Sequence, residues 1–394
     1  MSRINTNVSA LTAQTNLARS QADLQVRLQR LSTGLQINRG ADNPAGLIVS
    51  ERLRSEIAGI DQAINNVERA TNVIATTEAA LAEISTLLNS IKGLTIEAAN
   101  TGAFSPDEIT ANQLQIDSAV ESITRISNTT SFAGLKLLNG SLDYLTSGID
   151  SSAIQDVKVF GANFGTQGSI PVNVEVLNSA ETASLFISGN IAGAPGALLS
   201  SVTFEVTGKT GVEVLSFTSG TALSAVAFAI NQTSDATGVV ATLVNPADQT
   251  SGLVLSSTKL GSDSFVSVRK LTGGASFATY DQQNGTQRIR DTGEDVLALI
   301  NGSLALGRGS QLTLRSSTLN IELNLTQTAA QTLATNTFAV TGGGATYQIG
   351  PSVNSAQQVG FGIQSVAASR LGNEVIGFLN SIISGGSNSL EGGG

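Results

Sequence analysis

Ile57, Ile60, Ile64, Val67, Thr71, Ile74, Glu78 and Leu81 follow one another at alternating steps of three and four. That spacing is the seam of a helix lying along another helix. Residues 53–98 hold no Pro and only Gly59 and Gly93, so a single helix on the order of 75 Å long is expected at 1.5 Å per residue. Such a rod needs a partner along its stripe; the plainer alternative is a long helix inside an ordinary helical bundle. From Leu81 the apolar positions resume as Ile84, Leu88, Ile91, Thr95 and Ala98. One step of three is thus followed by another, a stammer expected to overwind a supercoil locally. Thr71 and Glu78 place polar groups in the seam, which costs stability and fixes register.

The rod occupies a fraction of a 394-residue chain whose apolar share, 41%, is that of a folded protein with room for two or three domains. A formal charge of −9 with only 13% charged residues argues against a nucleic-acid partner, which needs a basic stripe. With no Cys and no His, disulfides, thiolate nucleophiles and the commonest general base and metal ligand are absent from the sequence. Hence neither an enzyme nor a cofactor is expected. No apolar run is long enough to cross a bilayer, and the N-terminus lacks an apolar signal-peptide core, so neither membrane insertion nor cleaved-signal export is expected.

Near the start, Ile4, Val8, Leu11, Thr15, Ala18 and Ala22 form one stripe, and Leu24, Leu28, Leu31 and Leu35 a second whose phase slips by one residue. The intervening positions carry few ion-pairing residues, so this helix is expected to form mainly when packed. Gly34, Gly40 and Asn43-Pro44 interrupt the pattern, and Pro44 suits the first turn of the next helix with Asp42 or Asn43 as its cap. After Asn100-Thr101-Gly102, the run Ser105-Pro106-Asp107-Glu108 has capping-box spacing, and Ile109, Ile116, Val120 and Ile123 share one face. A helical hairpin is expected.

From Ser131 Gly rises and alternation replaces helical periodicity, as in Val172-Asn173-Val174-Glu175-Val176. Residues 202–206 and 212–215 read as a hairpin, 221–230 as a helix through Leu223, Val226 and Ile230, and 238–241, 253–255 and 265–268 as strands: a ββαβββ module. Leu312, Leu314, Leu319, Ile321, Leu323 and Leu325 predict a further sheet, and a weak helical signal returns over residues 356–383. Gly208-Lys209-Thr210 resembles the tail of a phosphate loop, but Thr203 stands where that loop needs Gly, so a hairpin turn is expected. Asp291, Glu294 and Asp295 lack the spacing of a calcium loop and read as a solvated turn, and the Asn-x-Ser/Thr triplets carry no weight in so Ser/Thr-rich a chain. The fold class expected is α+β: long coiled-coil-like N-terminal helices, a rod and a hairpin, with a β-rich insertion of one or two small domains.

Leu31-Ser32-Thr33-Gly34-Leu35-Gln36-Ile37-Asn38 and Ala41-Asp42-Asn43-Pro44-Ala45-Gly46-Leu47-Ile48-Val49-Ser50-Glu51-Arg52-Leu53-Arg54, together with Arg3-Ile4-Asn5-Thr6-Asn7 and Ser131-Phe132-Ala133-Gly134-Leu135-Lys136-Leu137-Leu138-Asn139-Gly140, resemble bacterial flagellin almost continuously over residues 1–140. Residues 220–240 are similar to a motif inside flagellins and hook proteins, and residues 363–371 to the return from the flagellin variable region. The resemblance implies an extracellular subunit of the helical flagellar filament, which serves swimming motility and self-assembles with other flagellin subunits. It also implies an export chaperone, the type III export apparatus, and filament cap and junction proteins as partners.

Residues 1–44 would then be the inner-tube helix and spoke and 45–140 the helical hairpin of the filament wall. Residues 141–200 would form a β-rich connection, 201–275 the ββαβββ outer module, 276–350 a second β-rich outer segment and 351–394 a truncated return to the helical domain. Ile4, Val8, Leu11, Leu28, Leu31, Leu35, Ile57, Ile60, Ile64, Val67, Ile74, Leu81, Leu88 and Ile91 are the expected self-assembly seam. In the family a long amphipathic segment follows the Ser-Gly-Gly matched by Ser384-Gly385-Gly386, whereas this sequence stops about eight residues later. The inner-tube partner is therefore expected to be missing and the first helix exposed. At the position where flagellins present an Arg to the animal innate receptor, this sequence has Ser90, so only Leu94 carries over. The alternatives are the hook-to-filament junction protein and a non-flagellar surface adhesin, the latter disfavoured by three Tyr and no Trp for sugar stacking.

Overall fold

The computed structural model describes residues 7–41, 43–100, 102–103, 105–274, 277–373 and 376–390. Ile4, Asp42 and the terminal Gly392-Gly393-Gly394 lie outside the described residues. The chain divides into two compact units, residues 1–71 with 347–358 and residues 72–346 with 359–394.

In the first unit, α1 spans Val8–Thr33, with the Asn7 side chain accepting from the Ala10 N–H at 3.1 Å, and it stops at Gly34, whose φ of 68° suits a residue without Cβ. The spoke then folds on itself, Thr33 Oγ1 donating to Asn38 Oδ1 at 2.9 Å and Asn38 Nδ2 to the Leu35 carbonyl at 3.1 Å. The second helix, α2, spans Pro44–Ala98 without a break. Asn43 caps it, its Oδ1 accepting from Gly46 N at 2.9 Å. Gly59 sits where Pro351 crosses the helix: a Cβ there would lie 3.0 Å from the proline Cβ.

In the second unit, α3 spans Pro106–Thr129 and starts at a full capping box in which Ser105 and Glu108 exchange hydrogen bonds. The Ser105 N–H, and then its hydroxyl, hold the Glu108 carboxyl below its ordinary pKa. Ile116, Ala119, Val120 and Ile123 are buried. A short hairpin, β1 (Ser131–Phe132) and β2 (Leu135–Lys136), leads into the β region.

Strands β3 (Tyr144–Ser147), β4 (Ile154–Ala162), β5 (Ile170–Asn178) and β6 (Ser184–Ile187) precede β7 (Val202–Gly208), β8 (Val212–Phe217), α4 (Leu223–Gln232), β9 (Val239–Leu243), β10 (Leu253–Ser257) and β11 (Phe265–Gly273). Strands β12 (Thr279–Tyr280), β13 (Arg290–Thr292), β14 (Leu297–Ile300), β15 (Ser303–Arg308), β16 (Gln311–Arg315), β17 (Leu319–Leu325) and β18 (Thr335–Gly343) follow. The expected ββαβββ order holds for β7 to β11, but β6, β12 and β13 join it, giving two four-stranded sheets, β12-β6-β10-β9 and β13-β11-β7-β8. Both sheets and α4 share one core, where Phe204 stacks between Phe217 and Phe277.

The remaining strands form one eight-stranded antiparallel sheet, β3-β18-β5-β14-β15-β16-β17-β4. Segments 141–200 and 276–350, separate in the sequence reading, thus interleave. The period of two in β5 and β17 left both segments seeking the same kind of partner face. The sheet curls so far that its edge strands share one core. Tyr144 of β3 spans the gap to β4, accepting from Ala162 N at 3.0 Å and donating to Ala162 O at 3.3 Å.

Residues 360–363 run through this gap, Gly362 N donating to Phe160 O at 2.9 Å and Ile363 N to Leu142 O at 3.0 Å. Gly360 and Gly362 are required there, since a Cβ would fall 2.8 Å from the Tyr144 hydroxyl or 2.6 Å from its ring. The helical signal over residues 356–383 is therefore a correction: the described residues hold two 3-10 turns and extended pieces. Gly372 and Gly377, at φ of 121° and 86°, take conformations that end helices.

Candidate assembly surface

None of the 26 residues of α1 is buried. Val8, Leu11, Leu28 and Leu31 are 70%, 62%, 54% and 81% exposed, and Leu17 and Leu24, also exposed, share the helix face of Leu28 and Leu31. Leu35, in the spoke, is also exposed. Ile4 lies outside the described residues.

On α2 the sequence-derived seam separates into two faces. Ile57, Ile60, Ile64, Val67, Ile74 and Leu81 are exposed, whereas Ala63, Ala70, Thr77, Ile84, Ile91 and Ala98 form an unbroken seven-residue repeat of buried positions, with Val73 beside it. The apparent stammer is the place where a reading that followed the exposed stripe to Leu81 stepped onto the buried one at Ile84. The buried stripe was missed because its first three members are Ala, Ala and Thr, too small to stand out beside Ile and Val. Leu88 is half-buried and Ile91 buried. Ile48, Val49 and Leu53 extend the exposed stripe toward the start of α2.

Within the second unit, Ile74, Leu81 and Ala82 line an apolar groove of about 650 Å³ together with Thr77, Glu78, Phe361 and Ile363. The last two escaped the sequence reading, although Gly360-Phe361-Gly362-Ile363 alternates with a period of two. The chain after residue 380 is fastened to α3 through two polar side chains. Buried Gln113 donates to Ile382 O at 2.9 Å and accepts from Leu390 N at 2.8 Å, and Asp117 accepts from Ser384 N at 2.9 Å. Burial pushes the Asp117 pKa up, but the hydrogen bonds from Ser384 and Gln113 outweigh it and leave the group below its ordinary value.

Among the described residues no group of three His, Cys, Asp or Glu could hold a metal ion, and no helix is long and apolar enough to cross a membrane. Gly208 closes the β7–β8 turn, its N–H donating to Gly211 O, and Lys209 pairs with Asp263 at 3.7 Å. The acidic group is more than a solvated turn. Asp291 of β13 accepts from Ser184 N of β6 at 2.8 Å, joining the two four-stranded sheets, and Asp295 accepts from Gly309 N at 2.6 Å, tying two loops together.

What the surface offers is unsatisfied apolar area. Burying a Val, Leu or Ile completely is worth about 1.5–3 kcal/mol, so each half-exposed member of the stripes contributes roughly 1 kcal/mol when a partner helix covers it.

Residues 4–143 match the family model of the bacterial flagellin N-terminal helical region, and residues 202–259 that of the flagellin hook IN motif. B-type flagellin of Pseudomonas aeruginosa is 36% identical over 156 residues, 40% of this chain and 32% of that protein. Flagellin of Xenorhabdus nematophila is 34% identical over 178 residues, 45% and 56%. Flagellin of Bacillus subtilis is 33% identical over 191 residues, 48% and 62%. The matches thus span between about one third and three fifths of these curated relatives. Among solved structures, the D1-D2-D3 domains of the flagellar cap protein FliD from Escherichia coli align with a TM-score of 0.34 at 16% identity, covering 59% of this chain and 64% of that one. Through residues 4–143 and 202–259 the chain belongs to the flagellin family.

Proposed function

We propose that the chain is a structural, non-catalytic subunit of the bacterial flagellar filament, working outside the cell and packing through α1 and the exposed stripe of α2 against other flagellin subunits. The observation that carries this reading is α1: a well-capped helix of 26 residues, inside the flagellin N-terminal region, with no residue buried. Isolated helices are marginal in water, so such a helix is stabilised by what it packs against in the assembly. The expected seam, Val8, Leu11, Leu28, Leu31 and Leu35 with Ile57, Ile60, Ile64, Val67, Ile74 and Leu81, is the contact surface in this reading. Leu88 and Ile91 belong instead to the fold of the subunit. Delivery by an export chaperone and the type III export apparatus, and contact with cap and junction proteins, complete the proposal on the strength of the family resemblance.

The test is incorporation. The purified chain, tagged in an exposed loop, is added to short flagellin filaments as seeds, and growth is followed by electron microscopy with tag-specific labelling. Labelled extension from the seed ends is expected, and Leu28→Asp with Leu31→Asp abolishes it. Label that stays in solution under conditions where the seed protein itself elongates would overturn the reading.

A further inference from the structure

The eight-stranded sheet carries a leucine patch on the face turned away from its core. Ala298, Ile300 and Ala305 point inward, so Leu297, Leu299, Leu304 and Leu306 point out. Leu299 pairs with Leu304 across β14 and β15, and the same register sets Leu297 beside Leu306. Leu177 on β5 and Leu333, adjacent to the Ala334 carbonyl that accepts from Val176 N, widen the patch. Leu177, Leu297, Leu304, Leu306 and Leu333 are 44%, 41%, 63%, 75% and 66% exposed. Together they present on the order of 500 Å² of apolar surface, the size at which a patch on a folded protein marks an interaction site.

The flanks of the patch carry opposite charges in one line. Leu299 pairs with Glu175 of β5 on one side and with Leu304 on the other. Leu306 pairs with Thr313, and continuing that register by two residues brings Arg315 to the row of Leu304. The row therefore reads Glu175, Leu299, Leu304, Arg315. Both charged residues are exposed, and among the described residues neither forms an ion pair.

We propose that this face is a homotypic contact between the β domains of two copies of the chain, stacked sheet to sheet about a two-fold axis parallel to the strands between β14 and β15. Rotation about that axis sets the left flank of one sheet opposite the right flank of the other. Leucine meets leucine at the centre, and Glu175 of each copy faces Arg315 of its mate. The row is complementary to its own image, which favours a second copy over any partner of one charge sign. The patch is smaller than the roughly 800 Å² per partner of a stable dimer. The contact is therefore weak in dilute solution and becomes populated when other surfaces hold copies together at millimolar effective concentration. Only that last step rests on the filament reading.

The chain has no cysteine of its own, so introduced thiols are the only ones a cross-linker meets. Stacked sheets lie about 10 Å apart, beyond the reach of a disulfide. Glu175→Cys and Arg315→Cys together, in the full chain treated with a bismaleimide of about that span, should therefore give covalent dimers at least tenfold faster than either single variant, in solution at high concentration and in filaments alike. Adding Leu304→Lys and Leu306→Lys should remove that excess. As a second route, Glu175→Arg alone and Arg315→Glu alone should each weaken self-association in sedimentation velocity, and the double reversal should restore it. Equal cross-linking of single and double variants, or no cross-linking at any concentration, overturns the proposal. So does leucine-dependent flotation with phosphatidylglycerol vesicles in place of the cross-link, which would assign the patch to a lipid surface. Filaments that form without the cross-link sink this contact and leave the filament reading standing; cross-linked dimers from a chain that never enters filaments do the reverse.

Discussion

Replacing Ile84 and Ile64 by alanine, one at a time, separates the two faces of α2 by experiment. Ile84 is 3% exposed and Ile64 is 53% exposed, although the spacing of apolar residues treats them alike. Truncating a buried Ile to Ala removes transfer free energy and leaves a cavity, at a cost of about 2–5 kcal/mol. Ile64 forfeits only the half of its surface that folding covers, roughly 1 kcal/mol, and Ala returns a few tenths through its higher helix propensity. In urea unfolding of the soluble chain followed by circular dichroism at 222 nm, Ile84→Ala should move the midpoint of the helical transition markedly, and Ile64→Ala should barely move it. In assembly the order reverses. The exposed half of Ile64 is what a neighbouring subunit covers, so losing about 1 kcal/mol there raises the critical concentration for filament growth about fivefold. Equal loss of helix stability in both variants would refute the division of the helix into a folding face and an assembly face.

Amide exchange should be fast across residues 8–33 in the soluble chain and slow across residues 84–98, with the first segment protected only in filaments; equal protection in the free chain would mean that α1 has a partner within it. Asp117 has a lowered pKa when folded, so its contribution to docking residues 382–390 is complete above the ordinary value of 3.8 and is lost as pH falls through the folded value. Limited proteolysis of that segment should therefore rise below about pH 4 and be already high at neutral pH in Asp117→Ala. Tyr144→Phe should destabilise the eight-stranded sheet by about 1–3 kcal/mol, because the buried Ala162 N–H loses its acceptor, and Gly362→Ala by a similar amount through overpacking against the Tyr144 ring. Wild-type melting of either variant would show that the sheet closes without that bridge.

The elements with a local cause were legible. Asn43-Pro44 and the box from Ser105 to Glu108 fix helix starts through hydrogen bonds within four residues of themselves, and the alternation in residues 172–176 gives the inward faces of β5 directly. Three things were not legible. The buried stripe of α2 is built partly from Ala63, Ala70 and Thr77, whose small side chains carry little apolar signal although their burial lets a neighbour approach closely. Strand pairing across more than a hundred residues, such as Leu299 with Glu175, has no local signature, since any alternating strand fits any open edge. Residues 356–383 contain apolar spacings compatible with a helix, but the barrel's need for glycine beside Tyr144 decides their conformation from outside the segment.

The closure of the eight-stranded sheet by residues 360–363 also fixes when it can happen. Its first edge is complete at residue 147 and its second at residue 162, yet the strap that lies between them arrives some two hundred residues later. A chain emerging from its amino end can build the local hairpins of residues 202–257 on the microsecond scale, whereas the strap must wait for loop closure over most of the domain. Until residue 363 is free, Tyr144 and the Ala162 N–H stay wet and the β region remains an open, pliable sheet. The strap is thus a clock: a chain threaded through a narrow passage in that direction cannot lock its largest β domain before residue 363 has passed.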